Sequence, residues 1–155
     1  MTRETNETAY CGIYCPDCIR YKNGYSGHAR QLKAELERVE FRKYADTKSP
    51  FGAEFDQYTA FHETLTALAD IQCENPCRVG GGCSGTPCSI MECCLSKGFQ
   101  GCWECGEVEG CDKFGILTPR CGDMPKRNIA TIREHGMAHW KEKRAPFYIW
   151  QKQGT

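Results

Sequence analysis

The sequence predicts a mainly α fold, a small helical domain packed around irregular Cys-rich loops. Three observations lead there. Cysteine accounts for 13 of 155 residues, and its members fall in short-spaced groups rather than along the chain. The stretches between those groups repeat apolar residues every three to four positions, the period of an amphipathic helix. Leu, Ile, Val and Phe together number only 24, below the roughly 20% share usual in folded domains. A thin hydrocarbon core with abundant sulfur implies that something other than oil holds part of the chain together.

The elements follow in order. From 28 to 46, Leu32, Leu36, Val39 and Lys43/Tyr44 recur at helical spacing, after Ser26 and Gly27, which suit a helix start. A second helix is expected over 50–71, with Ser49 as its cap and Pro50 at its first position. Its apolar face reads Phe51, Phe55, Tyr58, His62, Leu65 and Leu68. A third is expected over 125–143, with Ile129, Ile132, Gly136 and Trp140 on one side and Asp123 at its positive end. No alternating strand pattern stands out, although 147–150 reads as extended. The domain is expected as a single Cys-rich unit over 9–145, between tails 1–8 and 146–155.

Charge narrows the function classes. Twenty basic residues balance twenty acidic ones, which does not suit a strongly basic nucleic-acid binder or an acidic buffer protein. The segment 120–155 alone carries eight basic and three acidic residues. Contact with nucleic acid through that tail is a weaker expectation than a solvated helix face, because aromatic interleaving there is sparse. No apolar run approaches the ~20 residues needed to cross a membrane. The polar start of the sequence lacks a signal segment, so a cytoplasmic location is expected.

Cysteine serves as disulfide staple, metal ligand or reactive thiol. An odd count forbids complete pairing within the chain, and a reducing compartment favours metal. The groups are Cys11-x3-Cys15-x2-Cys18, Cys73-x3-Cys77-x5-Cys83, Cys88-x4-Cys93-Cys94 and Cys102-x2-Cys105-x5-Cys111, followed by Cys121. Short spacings recur because one turn of chain can bring two thiolates onto one ion. Glycines such as Gly80, Gly81 and Gly82 let the backbone between them turn sharply. The candidate ligands are Cys11, Cys15, Cys18, Cys73, Cys77, Cys83, Cys88, Cys93, Cys102, Cys105, Cys111 and Cys121. Adjacent Cys93 and Cys94 do not fit one small tetrahedron comfortably, so Cys94 is left as a spare buried thiol.

Three stretches carry a resemblance. They are Cys11 to Cys18, Ile90 to Cys105 with its Cys93-Cys94 pair and Cys102-Trp103-Glu104-Cys105, and Gly122-Asp123 followed by Lys126 and Asn128. Together they resemble the Cys-rich domain-of-unknown-function family 3795 of bacteria and archaea. The resemblance spans roughly 10–140 and implies a metal-binding role with no agreed activity. Where it leads one to expect a His-Gly-Asp-like segment, this chain reads Cys121-Gly122-Asp123. His and Cys both ligate zinc, which makes position 121 a candidate ligand.

Zinc is the favoured metal, since it takes four thiolates without redox chemistry and supplies ~10–16 kcal/mol of apparent folding energy. [4Fe-4S] clusters are the alternative, although the full ferredoxin run is absent. The expected grouping joins Cys11, Cys15 and Cys18 to one Cys of 73–83, and Cys102, Cys105 and Cys111 to Cys88 or Cys93. Cys15-Pro16-Asp17-Cys18 also has thiol-exchange spacing, but no strand or βαβ unit surrounds it. His135 and His139 sit at i, i+4 without the Glu of a zinc-protease helix. Trp103 reads equally as a shield for a metal site or as an ordinary buried aromatic. No catalytic centre is identifiable, and an interaction or accessory module with a protein partner is favoured over an enzyme.

Overall fold

A computed structural model describes residues 6–82, 88–118 and 121–145. The fold is mainly α, as the periodicity predicts. Among the described residues the α-helices given in full are, in order, α1 Tyr25–Arg38, α2 Phe41–Lys48, α3 Tyr58–Asp70, α4 Ser89–Ser96 and α5 Met124–Lys143. Short 3-10 turns at Cys15–Asp17, Ala53–Gln57, Cys77–Val79, Cys102–Glu104 and Asp112–Leu117 fill the spaces between them. Among the described residues, extended pairing is limited to isolated bridges, Thr8 with Tyr14 and Tyr21 with Cys73. The extended segment expected over 147–150 lies outside the described residues. The chain divides into two compact units, Lys22–Gln72 and the residues on either side of it.

Within 22–72 the expected helix over 28–46 is two helices. It starts at Tyr25 because Asn23, just ahead of it, accepts the Ser26 N–H at 2.9 Å. That side chain satisfies an orphan donor of the first turn, so Asn23 rather than Ser26 or Gly27 sets the start. The break comes at Glu40, whose φ of 51° is left-handed. It turns Phe41 onto Phe55 and Tyr58, with ring centroids at 5.9 and 5.4 Å. The buried face of α1 is Ser26 and Ala29 with half-buried Leu36, whereas Leu32, Val39 and Tyr44 are about half exposed. Small Ala29 on α1 and Ala69 on α3 let the two helices approach, with Leu65 between them. Arg30 Nη1 closes the contact on the Ala69 carbonyl at 2.9 Å.

The helix expected over 50–71 is also shorter. Pro50 follows a cis peptide, Phe51 is 93% exposed, and regular helix begins at Tyr58 after the Ala53–Gln57 turn. Ser49 Oγ caps nothing and instead donates to Asp56 Oδ1. The buried face of α3 is Tyr58, Leu65 and Ala69, and Leu68 is only partly covered, at 39% exposed.

In the other unit, α5 starts at Met124, one residue before the expected position. Its buried face holds Met124, Asn128, Ile129, Ile132 and Trp140. Gly136 does not lie on that face. It is exposed and non-helical, at φ 72° and ψ 163°, and divides the helix. The last turn therefore re-aims, and fully buried Trp140 meets Tyr14 edge-on at 5.7 Å. Arg144, just beyond, grips Asp17 with two bonds of 2.6 Å and lies 4.6 Å over the Tyr14 ring. Helix α4 falls where loop was expected, and buries Ile90 and Cys94 one turn apart. The core of this unit combines Ile90, Val108, Phe114, Leu117, Met124 and Ile129 with the buried cysteines Cys11, Cys94, Cys102 and Cys121.

Candidate functional site

Two groups of thiols emerge in the unit made by the chain ends. The first is assembled from the N-terminal loop. Ala9 N–H donates to Ile13 O at 2.8 Å and Gly12 N–H to Ala9 O at 2.9 Å, making a tight turn before Cys15. Gly12 has a φ of 85°, and a Cβ there would stand 2.9 Å from the Pro125 carbonyl. Asn128 Nδ2 holds the Gly12 carbonyl at 2.8 Å, so α5 fixes the loop. Pro16 then opens the Cys15–Asp17 turn, and Cys18 N–H closes it on Cys15 O at 2.9 Å.

Cys73 reaches this loop through its own N–H on Arg20 O, at 2.9 Å. Cys77 heads a turn whose closure, Gly81 N–H to Pro76 O at 3.0 Å, requires glycine, since a Cβ at 81 would meet Asn75 O at 1.6 Å. Together Cys11, Cys15, Cys18, Cys73, Cys77 and Cys88 line a single cavity of about 90 Å3, with Ile13, Ile90, Met91 and Leu117 among its walls. Burial pushes the Cys15 thiol up to about 12, and Cys77, Cys73 and Cys18, in that order, push it the same way. Burial also raises Cys18, against the pull of the Arg20 backbone amide, and the next like charge it feels is Cys73. Thiolates crowded in low dielectric repel one another, and a cation is the natural relief.

The second group surrounds α4 and the Cys102–Glu104 turn. Cys94 and Cys102 place their sulfurs 3.6 Å apart, both buried. A disulfide would bring them to ~2.05 Å. Two thiolates on one tetrahedral zinc, each ~2.3 Å from the ion, stand ~3.8 Å apart. A hydrogen bond from Cys102 lowers the Cys94 thiol, while the same bond, burial and the charges of Cys94, Cys11 and Cys111 raise Cys102. Cys93, Cys94, Cys102, Cys105 and Cys111 share a smaller cavity of about 30 Å3. Helix α5 braces the turn through Arg133, which donates to the carbonyls of Trp103, at 2.9 Å, and Cys105.

Arg78 stands between the two groups. Its guanidinium lies 4.1 Å from the Tyr10 ring centre and 5.4 Å from that of Trp103, and it donates to Thr8 O and Gln100 O. Trp103 is thus half-buried and covered by a cation, and lines neither cavity.

Of the expected ligands, Cys83 lies outside the described residues. Cys88 lines the first cavity and not the second, where Cys93 is found. Cys121 is buried in the core and lines neither, though its charge reaches Cys18. Cys94, set aside as a spare thiol, makes the 3.6 Å contact with the Cys102 sulfur, and its signal was the one-turn spacing to Ile90 on a short helix. His135 and His139 lie on opposite sides of the Gly136 break. Among the described residues, no three His, Cys, Asp or Glu side chains converge closely enough to hold one ion. The donor chemistry of both groups nonetheless suits soft metals.

Residues 7–115, more than half of the chain, match the family described as "Protein of unknown function (DUF3795)". The chain belongs to the DUF3795 family. The matched region takes in both thiol groups and leaves Cys121 and α5 beyond its end. No curated protein and no solved structure matches the chain. No helix among the described residues is long and apolar enough to cross a membrane.

Proposed function

We propose that this DUF3795 protein is a cytoplasmic Cys-ligated metal protein whose zinc site, at Cys94, Cys102, Cys105 and Cys111, is structural and supports an interaction or accessory module. The observation that carries this reading is the buried Cys94–Cys102 pair at 3.6 Å. Its separation is near that of two ligands on one zinc and far from a disulfide. Cys105 and Cys111 line the same cavity, and binding requires them to close onto the ion. Thiolates held by zinc would replace the missing hydrocarbon of the core.

A nucleic-acid role has less support. Within the basic C-terminal region, Arg144 is spent on Asp17, Arg133 on two carbonyls, Lys126 on Glu109 O and Arg127 on Asp123. Cations committed to internal partners release few counterions from a phosphate backbone. An interaction role is better supported, because Phe51 and Phe61 are exposed on the 22–72 unit.

The test is elemental analysis of protein purified without oxygen. About one zinc per chain, lost in Cys102→Ser and retained in Cys93→Ser, is the expected result. Zinc content unaffected by Cys102→Ser would refute the assignment.

A further inference from the structure

We infer that the first thiol cavity is a [4Fe-4S] cluster site, with Cys15, Cys18, Cys73 and Cys77 as its four ligands. The inference extends the reading of these cysteines as metal ligands and differs from it in the metal and the place.

The argument begins with space. A mononuclear zinc site has no interior, because its four sulfurs nearly touch around the ion. The Cys94–Cys102 contact has that character. The first group differs. Six cysteines line one cavity of about 90 Å3 there, several times the ~10–15 Å3 that admits one water. Sulfurs that surround a void suit a polynuclear core, in which each cysteine binds a different iron.

Surroundings agree with this. Ile13, Ile90, Met91 and Leu117 make the walls largely apolar, which keeps water from the bridging sulfides.

The choice of four rests on placement. Cys15, Cys18, Cys73 and Cys77 all line this cavity. Cys11 belongs to the buried core that also holds Cys94 and Cys102 of the second group. Cys88 precedes α4 as its N-cap residue and lines the cavity from the start of that helix. Cys15 and Cys18 come from one turn, and Cys73 is tied to the same loop through Arg20 O. Cys77 sits on the turn that only Gly81 permits.

Loading needs no redox step when the cluster arrives preformed with four thiolate ligands. Four bonds from iron to the carrier thiolates break and four bonds from iron to cysteine Sγ form. Each cysteine passes its proton to a departing thiolate, which leaves as a thiol. The cluster keeps its charge and electron count.

The experiment uses the full chain, purified without oxygen and mixed with a synthetic four-iron cluster carrying a simple alkyl thiolate. Iron, sulfide and zinc are measured after gel filtration, with circular dichroism as the check on folding. The wild-type chain should hold about four irons and four sulfides per chain. Cys15→Ser, Cys73→Ser and Cys77→Ser should each fall at least about fourfold in retained iron, with zinc and helicity unchanged. Cys88→Ser should retain the cluster. Iron absent from a wild-type chain that holds its zinc would overturn this inference alone. Loss of iron in Cys88→Ser, or its retention in all three ligand variants, would overturn the ligand set. A chain that takes up neither metal would overturn both this inference and the zinc assignment.

Discussion

Single residues decide how the thiols are presented. Gly12 combines a φ of 85° with a would-be Cβ contact of 2.9 Å to Pro125 O. Left-handed backbone costs an ordinary residue about 1–2 kcal/mol, and the crowding adds to it. Gly12→Ala should therefore lower unfolding free energy by about 2 kcal/mol or more, measured by urea titration. An unchanged midpoint would show that the loop relaxes away from α5. Cys15 carries a pH signature in the metal-free chain. Its thiol rises from 9.0 to about 12 in the folded state. The folded chain then holds a proton that the unfolded chain releases between those values, so stability is full below pH 9 and falls as pH rises towards 12. With chelator and reductant present, the urea midpoint should drop across that window, and Cys15→Ser should flatten the slope. A slope identical in the two chains would remove Cys15 as its source.

At the scale of elements, the ends of α5 matter more than its middle. Gly136 breaks the helix so that Trp140 and Arg144 can return to the Cys15–Asp17 turn. The conformation it adopts costs other residues about 1–3 kcal/mol. Nothing crowds a Cβ there, so Gly136→Ala should destabilise by backbone strain alone, visible as a lowered thermal midpoint. A surface ion pair contributes little, but the Arg144 and Asp17 side chains are only 23% and 13% exposed and meet through two hydrogen bonds. A double-mutant cycle with Arg144→Ala and Asp17→Ala should return a coupling of about 1–2 kcal/mol. A coupling near zero would mean that Trp140, and not the ion pair, fastens this end of the helix. The sequence showed α5 clearly because its apolar positions repeat over five turns. It hid α4, whose eight residues are too few for periodicity and whose cysteines read as loop ligands.

For the whole molecule, the two compact units differ in what holds them. Residues 22–72 contain no cysteine and close on Ala29, Leu65, Ala69 and the rings of Phe41, Phe55 and Tyr58. The other unit includes buried cysteines in its core. Metal removal should act on one unit and spare the other. Amide exchange after chelation under reducing conditions should show lost protection at 88–118, with α1 and α3 still protected. Equal loss in both would contradict separate sources of stability. Equal retention would contradict a structural role for metal.

The sequence by itself determined the helical class, the amphipathic stretches and the family, because periodicity and Cys spacing are local properties of the chain. It also marked twelve of the thirteen cysteines as candidate ligands and set Cys94 aside. Tertiary structure alone decided which thiols lie near one another, since a distance between sulfurs depends on how remote segments return to one another. It separated Cys93 from Cys88, brought Cys94 to Cys102, and gathered Cys15, Cys18, Cys73 and Cys77 around one space. It also broke the first and last long helices at Glu40 and Gly136, where packing of aromatic side chains outweighed the preference of the backbone to continue.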